Sequence, residues 1–190
     1  PTSGSSDRIV VNGDVSLDGN LNLLQSGDAA DGTAGFGYYR LMTYSGALSG
    51  AGLTIGSTPA MPEPAAYQIQ AGAGRIDLFV AAAGDDTMQH WQGGNGTWDA
   101  DSKNWLNQGG PIPRTWAGNT AIFKDAGGYS GASIAVEGSQ SFKGLQFVDE
   151  GYRLEGSGQL LVDGSSRTDA NAEIRVLADR AQIATEIAGA

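Results

Sequence analysis

Residues 8–24, RIVVNGDVSLDGNLNLL, alternate apolar and polar positions in three short runs (8–11, 14–17 and 21–24) parted by Asn-Gly and Asp-Gly-Asn. Period-two alternation broken by turn residues predicts β-strands. Asn-Gly closes a two-residue hairpin, but it equally turns a corner into the next face of a coil, so the topology stays open at this point. The same spacing recurs at 38–44, around Leu48, and at 53–55, 67–70, 75–80, 120–123, 133–136, 144–148, 152–154 and 159–162. The inward set of these runs is Val15, Leu17, Leu21, Ile76, Leu78, Leu145, Phe147, Leu154 and Leu160, which are expected to form one continuous core. Residues 172–187 carry Ala, Glu and Arg in helix-like amounts, yet Ile174 and Val176 alternate, as do Ile183, Thr185 and Ile187. Two strands are expected there, consistent with the rest of the chain.

Turn chemistry fills the gaps. Glycine makes up 30 of 190 residues with no Gly-X-Y period, and apolar residues reach 40%. That is enough apolar material for a core, which excludes wholesale disorder. Segment 57–66, STPAMPEPAA, holds Pro59, Pro62 and Pro64 and reads as an excursion, because proline donates no ladder hydrogen bond. A net charge of −10 argues against a nucleic-acid partner. The longest apolar run, 78–83, is strand-sized and leaves no transmembrane segment in this stretch. Cysteine is absent, which suits a chain that crosses a membrane unfolded. With no Met start and no export signal at Pro1, the chain is expected to be a mature or excised fragment.

The ordered series RIVVNGDVSLDGNLNLL, YYRLMTYSGALSGAGLTIGSTP, YQIQAGAGRIDLFV, WQGGNGTWDADSKNW, WAGNTAIF and GLQFVDEGYRLEGSGQLLV resembles the passenger segments of bacterial autotransporters, the proteins of type V secretion. The likeness is to their autotransporter-associated β-strand repeats, and it runs over nearly the whole chain. The resemblance implies an all-β fold, a right-handed parallel β-helix (solenoid) segment with a Trp/Gly-rich excursion. By analogy with short-repeat solenoids it implies roughly seven or eight turns and a rod about 35 Å long. The expected organisation is β-helix turns over 1–84 with the Pro-rich loop at 57–66, the excursion over 85–118, and further turns over 119–190. It further implies a cell-surface or secreted setting in a Gram-negative bacterium, anchored by a C-terminal outer-membrane barrel lying outside this stretch. No Gly-rich nonapeptide calcium repeat is present, so a calcium-binding β-roll is not expected.

The residues that could carry chemistry are few. His90 is the one histidine, which excludes a histidine metal cluster and leaves one conceivable base, with no nucleophile motif beside it. Asp99, Asp101 and Asn104 in TWDADSKNW loosely resemble a calcium loop, but the loop's glycine and terminal glutamate are missing, so Asx turns are expected. The pairs Asp85-Asp86 and Asp149-Glu150 read as solvated charges. No cofactor is expected.

All four tryptophans, Trp91, Trp98, Trp105 and Trp116, fall in one Gly-rich stretch. They read either as clamps that hold an irregular excursion or as a ligand platform on which sugar rings stack. The functional expectation is a non-enzymatic stalk or adhesin segment linked to virulence. Its partners would be host or bacterial surface proteins or glycans, or a second copy through self-association. The rivals are a carbohydrate-binding module using the tryptophans and a polysaccharide-active enzyme, which would need carboxylates and basic residues gathered on one face; the 11 basic residues are dispersed from Arg8 to Arg180.

Overall fold

The computed structural model describes residues 8–24, 36–59, 65–82, 88–107, 110–126, 128–163 and 172–189. Every regular element among them is a β-strand, and the chain divides into two compact units, Pro1–Gly84 and Asp85–Ala190. The Asp85-Asp86 pair and positions 60–64 of the Pro-rich loop lie outside the described residues.

The first unit holds β1 (Ile9–Val11), β2 (Val15–Leu21), β3 (Gly37–Tyr44), β4 (Leu48–Ile55), β5 (Ala65–Gly72) and β6 (Arg75–Ala82). Asn12-Gly13 turns a corner, since β1 pairs in parallel with β3 while β2 pairs in parallel with β4. Pairing with β4 also carries β2 straight through 18–20, where local chemistry predicts a turn. The mismatch survives as a register shift between Ser16 and Asp18.

The sheet of the first unit that holds β1, β3, β5 and β6 departs from the all-parallel arrangement expected. Strands β5 and β6 form an antiparallel hairpin, and β6 also runs antiparallel to β3. The reason is local: Ala73 at φ 49° and Gly74 at φ 75° both take positive φ, the backbone of a tight hairpin turn that matches strand twist. The paired positions Arg40 and Asp77 sit opposite each other on β3 and β6. Both are buried, and they form a two-pronged ion pair, Nε to Oδ1 at 2.8 Å and Nη2 to Oδ2 at 3.2 Å. Nearby, Val15, Leu17, Tyr44 and Ile76 form a buried cluster flanked by Leu53 and Ile69.

The second unit begins with β7 (Met88–Trp91), β8 (Gly96–Trp98), β9 (Trp105–Asn107) and β10 (Pro113–Arg114). Three passages of the chain follow: β11 (Thr120–Phe123), β12 (Ala132–Val136) and β13 (Ser139–Phe142); β14 (Gly144–Phe147), β15 (Tyr152–Glu155) and β16 (Gln159–Val162); β17 (Glu173–Val176), β18 (Gln182–Ile183) and β19 (Glu186–Gly189). Each passage lays one strand into each of three parallel ladders, β7-β11-β14-β17, β8-β12-β15-β18 and β13-β16-β19. Side-chain hydrogen bonds between successive passages join residues 20 to 27 apart, as in Gln159 to Ser139 and Thr185 to Gly158.

Register stacks like on like. Ala121, Leu145 and Ile174 form one column, Phe123, Phe147 and Val176 a second, and Ile134, Leu154 and Ile183 a third. The rings of Phe123 and Phe147 stack with centroids 4.7 Å apart. The inward set read from sequence is buried except for the half-buried Leu21; Leu145, Phe147, Leu154 and Leu160 share one cluster in the second unit, and Val15, Leu17 and Ile76 share another in the first. Corners are tight: at Gly156, φ +121°, a Cβ would stand 2.5 Å from the Val136 carbonyl oxygen, so only glycine fits. The C-terminal stretch holds three strands, β17 to β19, where two were expected. Residues 182–183 suffice to extend the second ladder.

Candidate functional site

The glycine-rich stretch before β11 becomes ordered around its tryptophans. Strand β9 folds back antiparallel on β7 and places Trp105 opposite Trp91, while β8 feeds Trp98 inward beside Val136. The four indoles meet: Trp105 lies 5.2 Å from Trp91, 4.9 Å from Trp98 and 4.4 Å from Trp116, centroid to centroid. The first two contacts are edge-to-face, the arrangement ring quadrupoles favour. Phe123 sits against both Trp98 and Trp105, tying the group to the ladder core.

Exposure separates the four. Trp91, Trp98 and Trp105 are buried within the hydrophobic cluster, and Trp116 packs against it half-buried. The Trp91 indole N–H donates to the Gly94 carbonyl at 2.8 Å, and that of Trp116 to the Ser141 carbonyl at 2.7 Å. The buried N–H groups of Trp98 and Trp105 have no partner among the described residues. An incoming sugar ring could therefore reach Trp116 alone without opening the core.

Polar side chains around the cluster are spent on backbone groups and on one another. Gln89, buried on β7, accepts from the Ala117 N–H through Oε1 and donates through Nε2 to the Thr115 carbonyl. Asn104 donates to the Thr97 carbonyl and accepts from Gln92. Asp99 closes an Asx turn: Oδ1 accepts the N–H groups of Ser102 at 2.6 Å and Asp101 at 2.9 Å, and Oδ2 accepts the Ser102 hydroxyl. The Ser102 N–H is the main cause holding the Asp99 carboxyl below its ordinary range. Its oxygens face their own turn, and no group of three or more metal-type side chains is gathered among the described residues.

His90 lies on β7, paired with Ile122 and Leu106. Burial first, and the Lys124 charge second, lower its pKa to about 4, so the ring is neutral at neutral pH. The expectation that Asp149 is a solvated charge is corrected. It is buried at the end of β14, where Oδ2 accepts the Asp125 N–H of the preceding passage at 2.8 Å. Glu150 beside it is exposed. Burial first, then the charges of Asp125 and Asp149, raise the Tyr152 phenol pKa. Sequence reasoning passed over Tyr129, the one aromatic residue in the exposed class among the described residues.

Neither a protein-family model nor a solved structure matches this sequence. A curated relative does. An alignment 165 positions long, covering 79% of the chain, is 32% identical to part of the adhesin BmaC autotransporter of Brucella suis biovar 1 (strain 1330), and the chain spans about 4% of that protein. It is thus an all-β chain similar to a small portion of an autotransporter adhesin.

Proposed function

We propose that this chain is a segment of an autotransporter passenger that acts as a non-enzymatic stalk or adhesin part at the surface of a Gram-negative bacterium. The observation that carries the reading is the set of three in-register parallel ladders, to which each passage of the chain adds one strand. In this reading the second unit is a right-handed parallel β-helix, the hand that strand–crossover–strand connections follow almost without exception. Each passage is templated by the one before it, so a chain emerging outside the cell folds progressively, and stability accrues from neighbour to neighbour. The similarity to an adhesin supports the surface setting.

The experiment is deletion of this segment from the full-length parent displayed on bacteria. The expected result is reduced adhesion to host cells, or reduced antibody access to passenger parts beyond the segment, while the outer-membrane anchor stays in place. Unchanged adhesion together with unchanged access would overturn the reading.

A further inference from the structure

We propose that the surface of the second unit around Tyr129 binds the pyranose rings of a neutral oligosaccharide, with Tyr129 as stacking platform and the Asn95–Ser133–Glu155 row as hydroxyl contacts. The proposal rests on the surface-segment reading and gives it a ligand class.

The platform is built rather than incidental. Tyr129 is 57% exposed, yet one side of its ring lies on bare backbone. A Cβ added at Gly93 would come within 2.8 Å of ring Cδ2, and one at Gly94 within 3.1 Å of Cε1. Both glycines hold positive φ, +113° and +70°, so the shelf is closed to side chains by conformation as well as by space. Tyr129 is fixed in turn by its antiparallel bridge to Ala126, its N–H donating to the Ala126 carbonyl at 3.0 Å. A ring held this way loses little freedom on binding. Its electron-rich outer face suits the slightly positive C–H groups of a sugar.

The polar row begins at the next residue. The Oδ1 of Asn95 accepts the Ser133 N–H at 2.8 Å, which orients the amide and leaves Nδ2 as an exposed donor. Ser133 and Arg153 are paired on the ladder, with Ile134 and Leu154 beside them pointing into the core, so Ser133 and Arg153 face outward. The Ser133 hydroxyl and the Arg153 Nε both hydrogen-bond to Glu155. These two contacts hold the Glu155 carboxyl below its ordinary pKa, so it is an acceptor throughout the neutral range. An exposed ring beside alternating donors and acceptors fits a polyhydroxylated neutral ligand. A lone ring offers too little apolar area for a protein interface, and the net charge of −10 disfavours an anionic membrane.

The test uses the whole 190-residue chain with a panel of neutral trisaccharides built from glucose, galactose or N-acetylglucosamine, read by saturation-transfer NMR and calorimetry. At least one should bind, with amide shifts at Asn95 and Ser133. Y129A should weaken that binding roughly tenfold, the upper end for an aromatic contact, without moving the melting transition. Y129F should retain binding, because the phenol oxygen is not the platform. Absence of binding by every trisaccharide, or an unchanged dissociation constant in Y129A, overturns the proposal. If the parent's adhesion still depends on this segment in that case, the surface-segment reading stands and the ligand is not a neutral glycan.

Discussion

Trp105 is the hub of the aromatic cluster, and replacing it with alanine tests whether that cluster is a clamp. The side chain is fully buried and touches four other rings, Trp91, Trp98, Trp116 and Phe123. Trp105→Ala removes about 150 Å² of buried apolar surface, about 4 kcal/mol at ~25 cal/mol per Å². The lost ring contacts add to that, while removal of an unpartnered indole N–H returns about 1 kcal/mol. The sum lies near 4 kcal/mol, inside the usual 3–5 kcal/mol for a buried tryptophan. Trp105→Phe keeps most of the ring area and discards only the unpartnered N–H, so it should cost about 1–2 kcal/mol. Trp91→Phe should cost more than Trp105→Phe, because it strands the Gly94 carbonyl that the Trp91 indole now satisfies. Urea unfolding of the three variants, with limited proteolysis of 92–117, gives the answer. Equal losses for Trp105→Ala and Trp105→Phe, or a Trp105→Ala loss under about 1 kcal/mol, would refute the clamp.

Two further outcomes follow from buried charge. Asp77→Ala leaves the buried Arg40 guanidinium without its two-pronged partner and should cost about 3–5 kcal/mol in chemical denaturation. A loss below about 1 kcal/mol, the range of a solvent-exposed pair, would mean that Arg40 and Asp77 do not form the buried pair described. His90 has a folded pKa near 4 against an ordinary 6.5, so its neutral form is the folded one. Its contribution is complete above pH 6.5 and is lost as pH falls toward 4, amounting to about 3 kcal/mol across that window. His90→Gln should flatten stability over the same interval, as measured by urea midpoints at stepped pH, and an unaltered slope would contradict its burial.

Much of the strand pattern was legible because period-two alternation depends only on local residue order. Runs 120–123, 144–148 and 159–162 reappear almost unaltered as β11, β14 and β16. Strand β13 was missed because its inward positions are Gln140 and Phe142, and a buried glutamine disguises the alternation. Its amide is satisfied by the Glu137 carbonyl at 2.7 Å, a partner that alternation does not reveal. The β5–β6 hairpin was missed for a different reason: an alanine at positive φ holds the turn, where residue preference points to Asn or Asp. The confinement of the tryptophans to one stretch announced a cluster. Which indole keeps contact with solvent is decided by chain passages about 25 residues away, such as the Ser141 carbonyl that holds Trp116. Tyr129 gave no signal at all, because its exposure depends on a glycine shelf more than 30 residues upstream.

The acidic and amide side chains of this chain act as connectors. Asp14 accepts the Ala47 N–H, Asn22 the Ser57 N–H, Asn95 the Ser133 N–H and Asp149 the Asp125 N–H, each joining a turn to a different passage of chain. Corners are where a ladder has no strand partner to offer, and a buried N–H left there would cost about 1–3 kcal/mol. An Asx oxygen fills each gap at little entropic expense, because its side chain is short. The residue types that would signal catalysis in a cleft are therefore distributed by the needs of the backbone. This explains how a chain with 21 carboxylates gathers no three of them, among the described residues, around one point. The same arithmetic bears on the absence of cysteine. Cross-passage hydrogen bonds at these four corners supply local staples of the kind that small disulfide-rich domains take from cystine.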